Sequence, residues 1–114
     1  MNIKLITATF PRDKLKAVEK KLQVIGVERI EISMVKGYGE NRNYYAPDWM
    51  VDEVRLDIFT RTDEVDSITT AIMDAAHTGE PGDGIVAVVP IEKFFLIRTR
   101  SEATPDEFWP KHAQ

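Results

Sequence analysis

The chain has no cysteine, which removes disulfides, thiol nucleophiles and thiolate metal ligands together. Histidine is nearly as scarce. The two present, His77 and His112, lack the spacing of a ligand pair, so a metal site built from side chains is not expected. His77 instead suits a surface or capping role at a helix end, where a cation favours the dipole. Basic tracts are missing too. With 15 lysines and arginines against 19 aspartates and glutamates, and a net charge of -4, nucleic acid is not an expected partner. No apolar run approaches the roughly 20 residues of a membrane span, and Met1 begins no secretory pattern. Direct membrane insertion is therefore not expected, and a cytoplasmic location is. The aspartates at 48, 52, 57, 63 and 66 are scattered, and none sits with a nucleophile in an arrangement that suggests hydrolysis. Glycine is sparse, at 6 residues. Yet Gly79, Gly82 and Gly84 crowd into the one stretch "HTGEPGDGIV", just ahead of an apolar run.

What is present suits a single domain: 114 residues, 43% hydrophobic and 30% charged, within the ordinary range for a globular chain. "IKLITATF" is β-branched and apolar with no helical period, which predicts a strand ended by Pro11. Leu15, Val18, Leu22 and Ile25 then recur at helical spacing, with lysines on the other face and Gly26 as the stop. "RIEISMV" alternates, with Ile30, Ile32 and Met34 on one side, as a half-buried strand would. "VRLDIF" alternates again. Thr62 is placed to N-cap a second helix whose buried stripe is Val65, Ile68, Ile72 and Ala75, with Gly79 as its stop. "IVAVV" predicts a fourth strand, and "KFFLIRTR" a further extended piece. The order β-α-β-β-α-β predicts an α+β, ferredoxin-like fold: a four-stranded antiparallel sheet with two helices on one face and a C-terminal extension. That architecture hosts unrelated functions and settles none. An oligomer is expected, because "IVAVV" is apolar on both faces yet falls at a sheet edge. The charged face made by Arg29, Glu31, Arg55 and Asp57 suits a wet interior between subunits.

On the residues alone the glycine stretch has two readings. It is either a helix–strand turn or a nest of main-chain N–H groups that holds an anion. "TGEPGDGIVAVVPIEKFFLIRTRSE" resembles the C-terminal signature of the PII signal-transduction family, where Thr-Gly-x-x-Gly-Asp-Gly forms the nucleotide-binding B-loop. The likeness extends to "KGYG", to "VRLDIF" and to element order over residues 1–102. The long T-loop then falls at about 37–52, the B-loop at about 78–86, and a tail at 103–114.

The resemblance implies a homotrimer that binds adenine nucleotide (ADP, AMP or ATP) between subunits, with no catalytic residue and no metal of its own. Gly82, Asp83 and Gly84 would line the phosphates, and Gly37, Tyr38 and Gly39 would approach the nucleotide at the loop root. Asp57, Ile58 and Phe59 would lie where adenine packs on strand backbone, with Glu31 nearby. Arg98 matches an arginine that grips phosphate from the neighbouring subunit. Arg100, two residues on, would share its strand face and assist.

The departures from the family pattern lower the positive charge of that pocket. Ile85 stands where the family has lysine, and Leu96 where it has the first of two arginines. A charge-assisted hydrogen bond is worth roughly 1.5–3 kcal/mol, so two losses cost about two to four powers of ten in affinity for the most anionic ligand. ADP or AMP is expected to bind at least as well as ATP. Asn41 and Glu53 replace the glutamine and lysine of the 2-oxoglutarate site, and Glu40 replaces a loop arginine. No 2-oxoglutarate response of the usual kind is expected. The loop is short and lacks the motif around the modified tyrosine, so uridylylation of Tyr44 or Tyr45 is not expected. Arg42, Tyr44, Tyr45 and Trp49 either anchor a target there or pack back on the assembly. Short-loop PII-like proteins associated with carboxysome genes look similar, which implies bicarbonate as a second ligand. The expected target is a transporter or an enzyme of carbon or nitrogen metabolism. Two rivals share the fold: an acylphosphatase-like hydrolase, opposed by the brief first β–α connection "FPRDK", and a CutA-like trimeric metal-tolerance protein, opposed by the lack of cysteine and paired histidines. Phe108 and Trp109 in the tail either fold over the cleft or dock on the core.

Overall fold

The structure is a computed structural model that describes residues 2–37, 50–104 and 107. Tyr38, Gly39, Glu40, Asn41, Arg42, Tyr44, Tyr45 and Trp49, together with Phe108, Trp109 and His112, lie outside the described residues. Strand β1 spans Ile3–Pro11, helix α1 Leu15–Val24, β2 Glu31–Gly37, β3 Val51–Arg61, α2 Val65–Ala76 and β4 Ile85–Pro90. They form the expected α+β arrangement, a four-stranded sheet in the order β2-β3-β1-β4 with every pairing antiparallel. No helix among the described residues is long and apolar enough to cross a membrane.

Alternation along the central strands puts one row of side chains under the helices. Ile6, Ala8 and Phe10 of β1 and Val54, Leu56 and Ile58 of β3 are buried against Val18 and Leu22 of α1 and Ile68, Ala71, Ile72 and Ala76 of α2. Thr60 completes the row in β3, and its buried hydroxyl has no hydrogen-bond partner among the described residues. On the opposite, open face, Thr9 of β1 stands between Arg55 of β3 and Ile85 of β4.

Four local expectations are corrected. Each helix is entered through a 3-10 turn, Arg12–Lys14 and Thr62–Glu64. Thr62 therefore lies inside its turn, where neither cap position makes a side-chain hydrogen bond, and its N–H donates to the Asn2 carbonyl at 3.1 Å. The second helix ends at Ala76, before Gly79, because His77 turns extended at φ -66°, ψ 132°. Strand β2 is not half-buried. It is an edge strand, and Ile32 and Met34 remain 40% and 59% exposed. Finally, "KFFLIRTR" is not one extended piece. Phe95–Leu96 (β5) and Ser101–Glu102 (β6) pair as a small hairpin. The chain reverses between them, with Arg100 at φ 58° and its N–H donating to the Leu96 carbonyl at 2.9 Å. Arg98 and Arg100 thus sit in a turn and do not share a strand face.

Candidate functional site

The loop between α2 and β4 is organised by a single carboxylate. Past the helix end, the N–H groups of Thr78 and Gly79 both donate to Asp83 Oδ2, at 2.8 and 2.9 Å. The Thr78 hydroxyl donates to Asp83 Oδ1 and accepts from the Glu80 N–H at 3.1 Å. His77 Nδ1 stands 3.8 Å from Asp83 Oδ2. Hydrogen bonds from the Thr78 hydroxyl and then from the two N–H groups favour the charged carboxylate, so the Asp83 carboxyl is held down at about 2, with His77 a minor contributor when protonated. Asp83 therefore points its charge into its own loop, and the first three N–H groups past His77 are engaged there. Thr78 opens the Thr-Gly-x-x-Gly-Asp-Gly signature, but its five-residue spacing from Asp83 matches no regular period, so periodicity alone would not have paired the two.

The loop exit is fixed by steric contact. Gly84 has φ +107°, and a Cβ built there would lie 1.9 Å from the Thr9 carbonyl oxygen. Only a residue without a side chain lets the loop lie this close to β1. Gly79 and Gly82 also have positive φ, at 88° and 99°. On the helix side, a groove of about 220 Å³ runs beside the loop, with Phe10, Ile72, Met73 and Val86 in its wall alongside His77 and Asp83. Ile85, at the start of β4, is 67% exposed.

The other residues singled out from the sequence are spread across the sheet. Gly37 closes β2 opposite Val51, where the 38–49 segment rejoins the sheet. Its φ is not positive, and a Cβ there would meet nothing within 4 Å. Among the described residues, nothing requires glycine at that position. Glu31 lies directly across from Asp57, a pairing of like charges that is unfavourable unless something offsets it. Arg55 does so in part, with Nε 3.5 Å from Asp57 Oδ1. Ile58 has its side chain in the core, so only its backbone is available to a ligand. The Phe59 ring meets Phe94 edge-on, with centroids 5.0 Å apart, which roots the C-terminal hairpin near the start of β1. Arg98 and Arg100 belong to that hairpin. Among the described residues, no three histidine, aspartate or glutamate side chains group to hold a metal ion.

The family model described as "Nitrogen regulatory protein P-II" matches residues 3–101. A curated relative, "Nitrogen regulatory protein P-II" of Pasteurella multocida (strain Pm70), is 32% identical over 107 residues, covering 88% of this chain and 96% of that protein. "Nitrogen regulatory protein GlnK" of Escherichia coli (strain K12) is 29% identical over 104 residues, covering 85% and 93%. Among solved structures, Arabidopsis thaliana PII bound to citrate superposes with a TM-score of 0.76 at 28% identity, covering 90% of this chain and 89% of that one. Proteins of this family are regulatory and non-enzymatic; they bind small ligands and regulate partner proteins. A hydrolase or metal-tolerance reading is thereby set aside, and the signature read around the glycine loop has its explanation: the chain belongs to the P-II family of signal-transduction proteins.

Proposed function

We propose that this chain is an adenylate sensor. It assembles as a homotrimer in the cytoplasm, takes ADP, AMP or ATP at the cleft between subunits, and lets that occupancy set the 38–49 segment toward or away from a protein target. The observation that carries this reading is the loop between α2 and β4. Its main chain already folds around a negative group, two N–H groups converging on one carboxylate oxygen, as anion nests do. Gly82, Asp83 and Gly84, further along the loop, would line the nucleotide phosphates. Gly37 adds support: its bare backbone answers to nothing inside the described chain, so a ligand at the root of the long segment gives it a reason. Glu31, Asp57 and the backbone of Ile58 and Phe59 would flank the base, and Arg98, with Arg100 beside it in the turn, would reach phosphate from a neighbouring subunit.

Ile85 presents an aliphatic side chain where the family pattern calls for lysine, which favours ADP or AMP over ATP. Glu53 and Asn41 make 2-oxoglutarate a poor ligand and leave room for bicarbonate as a second signal. The target would be a small-solute transporter or an enzyme of carbon or nitrogen metabolism, gripped through Arg42, Tyr44, Tyr45 and Trp49. A ligand shifts such a segment only by its differential affinity for the two arrangements. Calorimetric titration with ATP, ADP, AMP, cyclic AMP, 2-oxoglutarate and bicarbonate tests the proposal. Adenylate binding, with ADP or AMP at least as tight as ATP, is expected. No adenylate binding overturns the reading, and cooperative binding of Mg-ATP with 2-oxoglutarate overturns the roles given to Glu53 and Asn41.

A further inference from the structure

We infer that Thr78 and Asp83 are positioning residues that lock the phosphate-facing loop from the inside, and that neither side chain touches the ligand. The inference rests on the adenylate reading and gives its loop a mechanism. Three observations converge on it. Both Asp83 oxygens are occupied within the loop, one by the N–H groups of Thr78 and Gly79 and the other by the Thr78 hydroxyl. The same hydroxyl accepts from the Glu80 N–H at 3.1 Å, so a single side chain ties both the carboxylate and the next turn of backbone. And the stretch is pinned at its two ends, by the His77 N–H on the Met73 carbonyl at 3.0 Å and by the bare approach of Gly84 to Thr9.

A free carboxylate beside a phosphate would repel it. With its side chain turned inward and its charge spent on the two N–H groups upstream and the Thr78 hydroxyl, residue 83 would offer a ligand its main chain and not its carboxylate. Preorganised donors hold an anion more tightly than donors that must be ordered during binding. Thr78 supplies the restraint: with its hydroxyl gone, the carboxylate is freed on one oxygen and the Glu80 N–H loses its acceptor.

The test uses the full-length protein and compares wild type with Thr78→Val, which keeps the shape and removes the hydroxyl, and with Thr78→Ser, which restores it. Two quantities are read: the ADP dissociation constant by calorimetry, and hydrogen exchange of the Thr78, Gly79 and Glu80 amides without nucleotide. Thr78 is exposed, so the fold survives both changes and melting confirms it. Thr78→Val is expected to weaken ADP about tenfold, the scale of losing a hydrogen bond to a charged group, and to speed exchange at the three amides. Thr78→Ser is expected to restore both. Unchanged ADP affinity in Thr78→Val, or unchanged exchange, overturns the inference. If wild type binds no ADP, the adenylate reading fails by itself, and exchange alone then decides whether the lock exists.

Discussion

Replacing Gly84 by alanine puts a methyl group where the β1 backbone already lies. The new Cβ would start 1.9 Å from the Thr9 carbonyl oxygen and 2.9 Å from its carbon, so loop or strand must move by more than about 1 Å to reach ordinary contact. Two costs add. A side chain at φ +107° is strained by about 1–2 kcal/mol, and forcing an extra carbon into a packed junction costs about 1–3 kcal/mol. The sum, about 2–5 kcal/mol, corresponds to a fall in melting temperature of at least about 10 °C for a domain of this size. Circular dichroism melts at matched protein concentration measure it. Gly37→Ala is the control, because its Cβ would meet nothing within 4 Å among the described residues; it should leave the melt in place while weakening adenylate. A Gly84→Ala protein melting within about 2 °C of wild type would refute the steric argument. A Gly37→Ala protein with undiminished nucleotide binding would remove Gly37 from the site.

Three further outcomes are expected. The Asp83 carboxyl is lowered from 3.8 to about 2, so its stabilising contribution is complete above about pH 4 and disappears as pH falls through about 2; denaturation series from pH 5 to pH 2 should show Asp83→Asn losing this component, and parallel curves would contradict it. Ile85→Lys adds a cation at an exposed position and should raise ATP affinity by about ten- to a hundredfold relative to AMP, read by calorimetry; equal gains for the two nucleotides would show that residue 85 does not see the terminal phosphates. Thr60→Val removes a buried hydroxyl that lacks a partner and should stabilise the fold by about 1 kcal/mol or more in urea unfolding, whereas destabilisation would mean that the hydroxyl is satisfied in solution.

The central fold was legible because its strands and helices bury one clean face each. Ile6, Leu56 and Ile68 keep their period and reach the core. The misreadings fall where neighbours decide. Ile32 and Met34 alternate as a buried strand should, but a half-buried face needs something across from it, and β2 has only β3 beside it. The turn at 97–100 carries no glycine, asparagine or proline, and Arg100 takes up a left-handed conformation that its residue type does not advertise. Gly79 looked like the helix stop because the competing acceptor, Asp83, lies four residues further along. The inward turn of the Asp83 side chain was not legible either: spacing alone does not show that a carboxylate has been answered by its own backbone.

The last residues of β1 serve as a common footing. Thr9 stands between Ile85, just beyond the glycine loop, and Arg55, a few residues past the point where the 38–49 segment rejoins the sheet. Ile85 and Arg55 are thus two ladder steps apart, roughly 10 Å, with one shared strand between them, and Val51 lies four residues, roughly 13 Å, further along β3. If the loop takes a ligand, strand β1 is the shortest covalent and hydrogen-bonded link from it to β3. A small tilt of that strand end reaches both neighbours at once, and stiffening residues 9–11 should make the two answer each other more sharply.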